Sequence, residues 1–144
     1  MTLPDLNLLI YSVDRGSAWH ERAREWWQTL LSSGEPVALS WSVLLGFVRL
    51  STRAQVFTAP LTADQALDLV DGWLSRPAVR IVHPGARHAA VLRDLLRPLG
   101  TAGNLTTDAH LAALAIEHGA QLCSADTDFA RFSGLRWMNP LAAA

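Results

Sequence analysis

Residues 104–132 read NLTTDAHLAALAIEHGAQLCSADTDFARF, and this stretch decides the fold class. Thr106 or Thr107 can cap a helix that runs to about His118, where Gly119 supplies the stop. The helix core, HLAALAI at 110–116, is apolar nearly all round, as a helix buried on several sides requires. Gln121 to Ala125 then reads as a buried strand, and 126–132 as a turn or short helix. Acids mark both junctions: Asp108 in the first helical turn, Asp126 and Asp128 just past the strand.

The same alternation extends outward. Arg136 to Asn139 reads as a last strand. Upstream, Ala86 to Leu96 is a helix closed by Pro98 and Gly100, and Val79 to His83 a buried strand. Thr62 and Gln65 form a capping-box pattern, followed by an apolar face of Ala66, Leu67, Val70, Trp73 and Leu74. Trp41 to Leu50 reads as a buried helix after a short strand at Pro36 to Ser40. Ser17 caps a helix whose stripe is Trp19, Ala23, Trp26, Trp27, Leu30 and Leu31, stopped by Gly34. Leu3 to Val13 is a strand turning into a helix, with Asp5 near the junction. Strands alternating with helices specify an α/β fold with a central, mainly parallel sheet, and the 144 residues suit one domain.

In such a fold ligands bind beyond the carboxyl ends of the strands. Asp5, Asp108, Asp126 and Asp128 all fall there, distant in sequence but able to converge. Each has an ordinary explanation alone: Asp108 complements the helix dipole, and Asp-Thr-Asp suits an Asx turn. Asp5 carries the strongest single signal, because an acid in an apolar opening segment costs burial energy unless used. Carboxylates gathered together repel, and a hard divalent cation such as Mg²⁺ relieves that repulsion. Paired ions of this kind support phosphoryl chemistry.

Composition removes other chemistries. All twelve basic residues are Arg, so mechanisms that need Lys are excluded, phosphate-binding loops and Schiff bases among them. The single Cys123 forms no internal disulfide and reads as a core residue. The five histidines lack metal-ligand spacing, and His110 and His118 read as structural. Trp26, Trp41 and Trp73 fall on apolar faces, whereas Trp19 and Trp27 lie toward the edge of their stripe, where one is exposed. No signal peptide or membrane span is evident, which places the chain in the cytoplasm.

With net charge −1 there is no global polyanion signal. Setting aside the four candidate carboxylates leaves nine acids against twelve arginines, a surplus of three positive charges around an acidic pocket. That suits a polyanion whose phosphates bridge to a metal. Arg49 and Arg53, like Arg93 and Arg97, are one helical turn apart and read as solvated faces.

LPDLNLLIYSV, NLTTDAHLAALAIEHGA, SADTDFARF and the closing RWMNPL together resemble the PIN-domain ribonucleases, closely those that serve as VapC toxins of VapBC toxin–antitoxin pairs. The resemblance spans nearly the whole chain and implies a three-layer α/β/α sandwich, a single PIN domain over 1–144. It implies an endoribonuclease dependent on Mg²⁺, with Mn²⁺ as a substitute, in which a metal-activated water attacks the RNA phosphodiester. The family's metal-holding acids fall on Asp5, Asp108 and Asp126, with Asp128 as a further catalytic acid and Asn7 as the small polar residue after the first acid. The implied partners are a cognate antitoxin, the RNA substrate and a second copy of the chain, with no membrane association. There is one departure. Many PIN nucleases carry a Glu on the helix that here reads WSVLLGFVRL, yet no acid lies between Pro36 and Leu61, and Glu35 precedes the strand. The alternative reading is therefore a non-catalytic PIN-like binding module that has lost full metal binding.

Overall fold

Thr2–Pro4 (β1), Val37–Leu39 (β2), Val79–Ile81 (β3), Gln121–Cys123 (β4) and Trp137–Met138 (β5) pair in parallel, in the order β3-β2-β1-β4-β5. These strands come from a computed structural model that describes residues 1–142. Six helices connect them: Leu6–Val13 (α1), His20–Ser32 (α2), Trp41–Ser51 (α3), Ala63–Leu74 (α4), His88–Leu96 (α5) and Thr106–His118 (α6). The chain steps outward from β1 through β2 to β3, then returns across the sheet to β4. Right-handed crossovers running in opposite directions put their helices on opposite faces. Accordingly α1 packs on α2 and α3, and α3 on α4, while α5 and α6 pair with each other. The three-layer α/β/α sandwich is thus realised, with β1 and β4 at the point where the strand order reverses.

Several boundaries follow from local chemistry. Thr62 Oγ1 accepts from Gln65 N–H while Gln65 Oε1 accepts from Thr62 N–H, which completes the capping box. Gly119 takes φ +65° past α6, and Ala120 N–H reaches back to the Ala115 carbonyl, so the orphan carbonyls are satisfied. The α6 helix is buried through Ala109 and Leu111–Ala115, as its all-round apolar pattern requires. Between α2, α3 and α4, Trp27 meets Trp73 edge-on, and Trp73 meets Phe47 at 4.8 Å. Cys123 is buried.

The structure corrects five details. No threonine side chain caps α6: a 3-10 turn at Gly103–Leu105 feeds it, and Thr106 Oγ1 donates to the Gly103 carbonyl. Ser17 does not cap α2, which begins three residues later; its hydroxyl accepts from Trp19 N–H in a preceding turn. The strand β3 is an edge strand with Arg80 exposed, because nothing pairs beyond it. Leu67 is 43% exposed, on the flank of α4 turned from the core. Trp41 is 44% exposed rather than core, since α3 buries the stripe of Val43, Leu44 and Phe47 instead. Trp19 is the exposed member of its pair, at 44%, and Trp27 the buried one. Among the described residues no helix is long and apolar enough to cross a membrane.

Candidate metal centre

At the reversal point between β1 and β4, two chain segments leave the carboxyl ends of adjacent strands. Asp5 follows β1 and caps α1: its Oδ1 accepts from Leu6 N–H at 2.7 Å. Its own N–H is held by the Cys123 carbonyl at 2.8 Å, which extends the β1–β4 pairing by one residue. Asp126 follows β4, and its Oδ1 accepts from Asp128 N–H at 2.9 Å, opening the 3-10 turn Thr127–Arg131. This Asx geometry turns Asp128 back toward Asp126. Asp108 enters from the other side, in the first turn of α6.

The result is a carboxylate trio. Asp108, Asp126 and Asp128 each offer an oxygen, and these atoms lie within 4.8 Å of one another. Asp5 stands beside the trio with both oxygens engaged, Oδ1 by Leu6 and Oδ2 by the Ser124 hydroxyl at 2.8 Å. Its charge nonetheless reaches the others. Burial, then repulsion from Asp5, Asp126 and Asp128 in that order, pushes the Asp108 carboxyl up from 3.8 to about 6. Burial also raises Asp5, against the stabilising hydrogen bonds from Ser124 and Leu6, and Asp126 adds to the rise. Arg131 Nε lies 3.7 Å from Asp128 Oδ1, an exposed pair that offsets little of this repulsion. Negative charge is therefore concentrated beyond what the protein itself neutralises. An all-oxygen donor set under such strain fits a hard divalent cation.

Ser124 organises the site, and reading QLCSA only as a strand missed it. The residue is fully buried. Its hydroxyl donates to Asp5 and accepts from Asn7 Nδ2 at 3.1 Å and from Asp126 N–H at 3.0 Å, filling one donor and two acceptor positions. Asn7 returns to the second strand through Oδ1, which accepts from Ala125 N–H. A Ser two residues ahead of an Asp was the available signal, since such side chains bond the backbone two positions on. His88 and His110, spaced for no motif, are hydrogen-bonded to each other.

On α3, where the departure from the family lies, the helix supplies no carboxylate. Gly46 faces α1, and a Cβ built there would lie 2.6 Å from Leu6 Cδ2. Glu35 sits before the amino end of β2, at the edge of the sheet opposite the acids.

An acidic cluster able to hold a metal ion, at the strand-reversal point of a parallel α/β sandwich, is what this fold and site define. Within that class, the PIN domain family model matches residues 2–135, and the chain belongs to that family. Ribonuclease VapC33 of Mycobacterium tuberculosis is 45% identical over 141 residues, 98% of this chain and 99% of that protein. Ribonuclease VapC37 of the same organism is 43% identical over 142 residues, 99% of each chain. Among solved structures, VapBC-1 from nontypeable Haemophilus influenzae superposes with a TM-score of 0.69 over 98% of each chain at 16% identity, a likeness of fold.

Proposed function

We propose that this chain is a VapC-type toxin: a Mg²⁺-dependent endoribonuclease, active also with Mn²⁺, restrained by a cognate antitoxin and acting in the cytoplasm as a single PIN domain. The observation that carries the proposal is the trio of Asp108, Asp126 and Asp128 within 4.8 Å at the strand-reversal point. Relatives named as VapC ribonucleases, matched from end to end, support the same reading.

Asp5, Asp108 and Asp126 would hold the ion, with Asp128 taking the place left by the acid that α3 lacks. A divalent ion bound there supplies a Lewis acid for a phosphoryl oxygen and acidifies a water. The chain's own groups do the rest. Ser124 fixes Asp5 and the Asp126 backbone at one point, so the acids from both strands keep their spacing. Burial and the neighbouring acids push the Asp108 carboxyl up to about 6, and a bound cation would offset that repulsion and favour its charged form. Hydrolysis by water forms a bond to phosphorus and breaks the bond to the 3′-oxygen, which leaves carrying a proton. The RNA 2′-hydroxyl takes no part.

End-group analysis of the cut RNA tests this directly. The expected products carry 5′-phosphate and 3′-hydroxyl ends. Ends that are 2′,3′-cyclic phosphates would show attack by the 2′-hydroxyl and overturn the mechanism. Binding of the antitoxin without cleavage under any metal would favour the non-catalytic module, which the acid-free α3 motivates.

A further inference from the structure

The face of α6 turned away from Asp108 carries a second polar cluster. His88 opens α5 and lies against His110 and Glu117, which are two turns apart on α6. Its Nδ1 is 2.5 Å from Glu117 Oε1, and its Nε2 is 3.0 Å from His110 Nδ1. Glu117 Oε2 also accepts from Gly85 N–H at 3.1 Å. The His88 and Glu117 side chains are only 13% and 9% exposed. His110 follows Asp108 by two residues, roughly 200° around the helix, so the cluster is separate from the carboxylate trio.

Donor and acceptor rules order the cluster. A carboxylate only accepts, so His88 donates from Nδ1, and its Nε2 is left as a lone pair. His110 then donates to that lone pair from its own Nδ1. The middle ring is thus held from behind by a buried carboxylate while its other nitrogen faces a second imidazole. Metal-ligating histidines are oriented in this way, with one nitrogen on the ion and the other N–H on a carboxylate.

We infer that His88 Nε2 and His110 Nδ1 are the two protein ligands of a second metal site, for an ion of the Zn²⁺ class, with Glu117 orienting His88. His110 reaches the ligating form by shifting its proton from Nδ1 to Nε2 through solvent, and the ring stays neutral. A tetrahedral ion with Zn–N of about 2.0–2.1 Å requires the nitrogens to stand roughly 3.3 Å apart, a small opening from their hydrogen-bonded separation. A cleft of about 150 Å³ lined by Ala86, Arg87, Val91, Ile116 and Glu117 lies on the Glu117 side of the cluster, and the remaining positions of the ion fall to water. Imidazole selects against Mg²⁺, which takes oxygen ligands, so the two sites sort different ions. Occupancy ties α5 to α6 and leaves the carboxylates untouched.

The test is histidine side-chain ¹⁵N NMR of the metal-free protein, titrated with Zn²⁺ in excess Mg²⁺. One equivalent is expected to shift the His88 and His110 ring nitrogens together and to leave His20 unmoved. Glu117→Gln should weaken Zn²⁺ affinity about 10–100-fold, the loss typical of an orienting carboxylate. His110→Ala should abolish this binding. If the two rings do not respond, or Zn²⁺ registers only at the carboxylates, the cluster is a hydrogen-bonded clamp and the inference fails. Wild-type Zn²⁺ affinity in His110→Ala would overturn it equally. The spectra are read on the unmodified chain, so a folding defect in a variant cannot obscure the answer, and RNA cleavage does not enter the readout.

Discussion

The Ser124 hydroxyl donates to Asp5 Oδ2 at 2.8 Å, joining residues 119 positions apart in the chain. This contact, with the Asn7 and Asp126 bonds to the same oxygen, couples the carboxyl ends of β1 and β4 into one unit. The acids are therefore held by a neutral buried group before any cation arrives. That arrangement has measurable consequences.

Ser124→Ala removes the donor from Asp5 and the acceptor from Asp126 N–H. Leaving buried polar groups unmatched costs about 1–3 kcal/mol. Urea unfolding should show a loss of that size, and the Asp5 carboxyl should rise further. A variant as stable as the parent would mean that water replaces the hydroxyl without penalty.

Asp128 belongs with Asp108 and Asp126 to the trio whose oxygens lie within 4.8 Å of one another. If it substitutes for the acid absent from α3, Asp128→Asn weakens Mg²⁺ affinity by about as much as Asp126→Asn. Calorimetric titration compares them. Affinity at the parent level in Asp128→Asn would leave Asp128 outside the metal centre.

The raised Asp108 carboxyl has a signed effect on stability. Between 3.8 and about 6 the folded protein holds a proton that the unfolded chain has lost. Asp108's contribution to stability therefore falls as pH rises through that window. Above pH 6 the metal-free protein bears the full repulsion, and added Mg²⁺ should raise its melting temperature most there. Below pH 4 Mg²⁺ should change it little. An Mg²⁺-induced shift that does not grow across this range would contradict the assignment.

How much of this was legible in the sequence depended on whether the signal was local. The four acids were visible because each follows a strand or opens a helix, and parallel sheets bring such positions to one edge. The capping box at Thr62 and the glycine stops were legible for the same reason. Trp41 was misjudged because α3 is apolar on more than one side, and periodicity alone cannot say which side meets the sheet. The edge position of β3 was hidden because V-R-I reads alike with one neighbouring strand or two. The roles of Ser124 and of the His88–His110 contact depend on which strands and helices are neighbours in space, and the spacing of residues does not record that.

Cys123 gives an independent check on the core. Burial pushes its thiol up to about 12. In the folded protein it should resist alkylating reagents at pH 8 and react at once on denaturation. Rapid labelling of the native state would show that the β1–β4 region opens far more readily than its burial implies.

The most direct measurement is cleavage of cellular RNA by the purified, antitoxin-free protein with Mg²⁺, with Mn²⁺ and with EDTA, beside Asp126→Asn. The account predicts defined cuts with either metal, none in EDTA, and a fall of at least about a hundredfold in the variant, the scale expected when a charge-stabilising group is lost. Equal cleavage in EDTA, or full activity in Asp126→Asn, would contradict a carboxylate-held metal as the source of the chemistry.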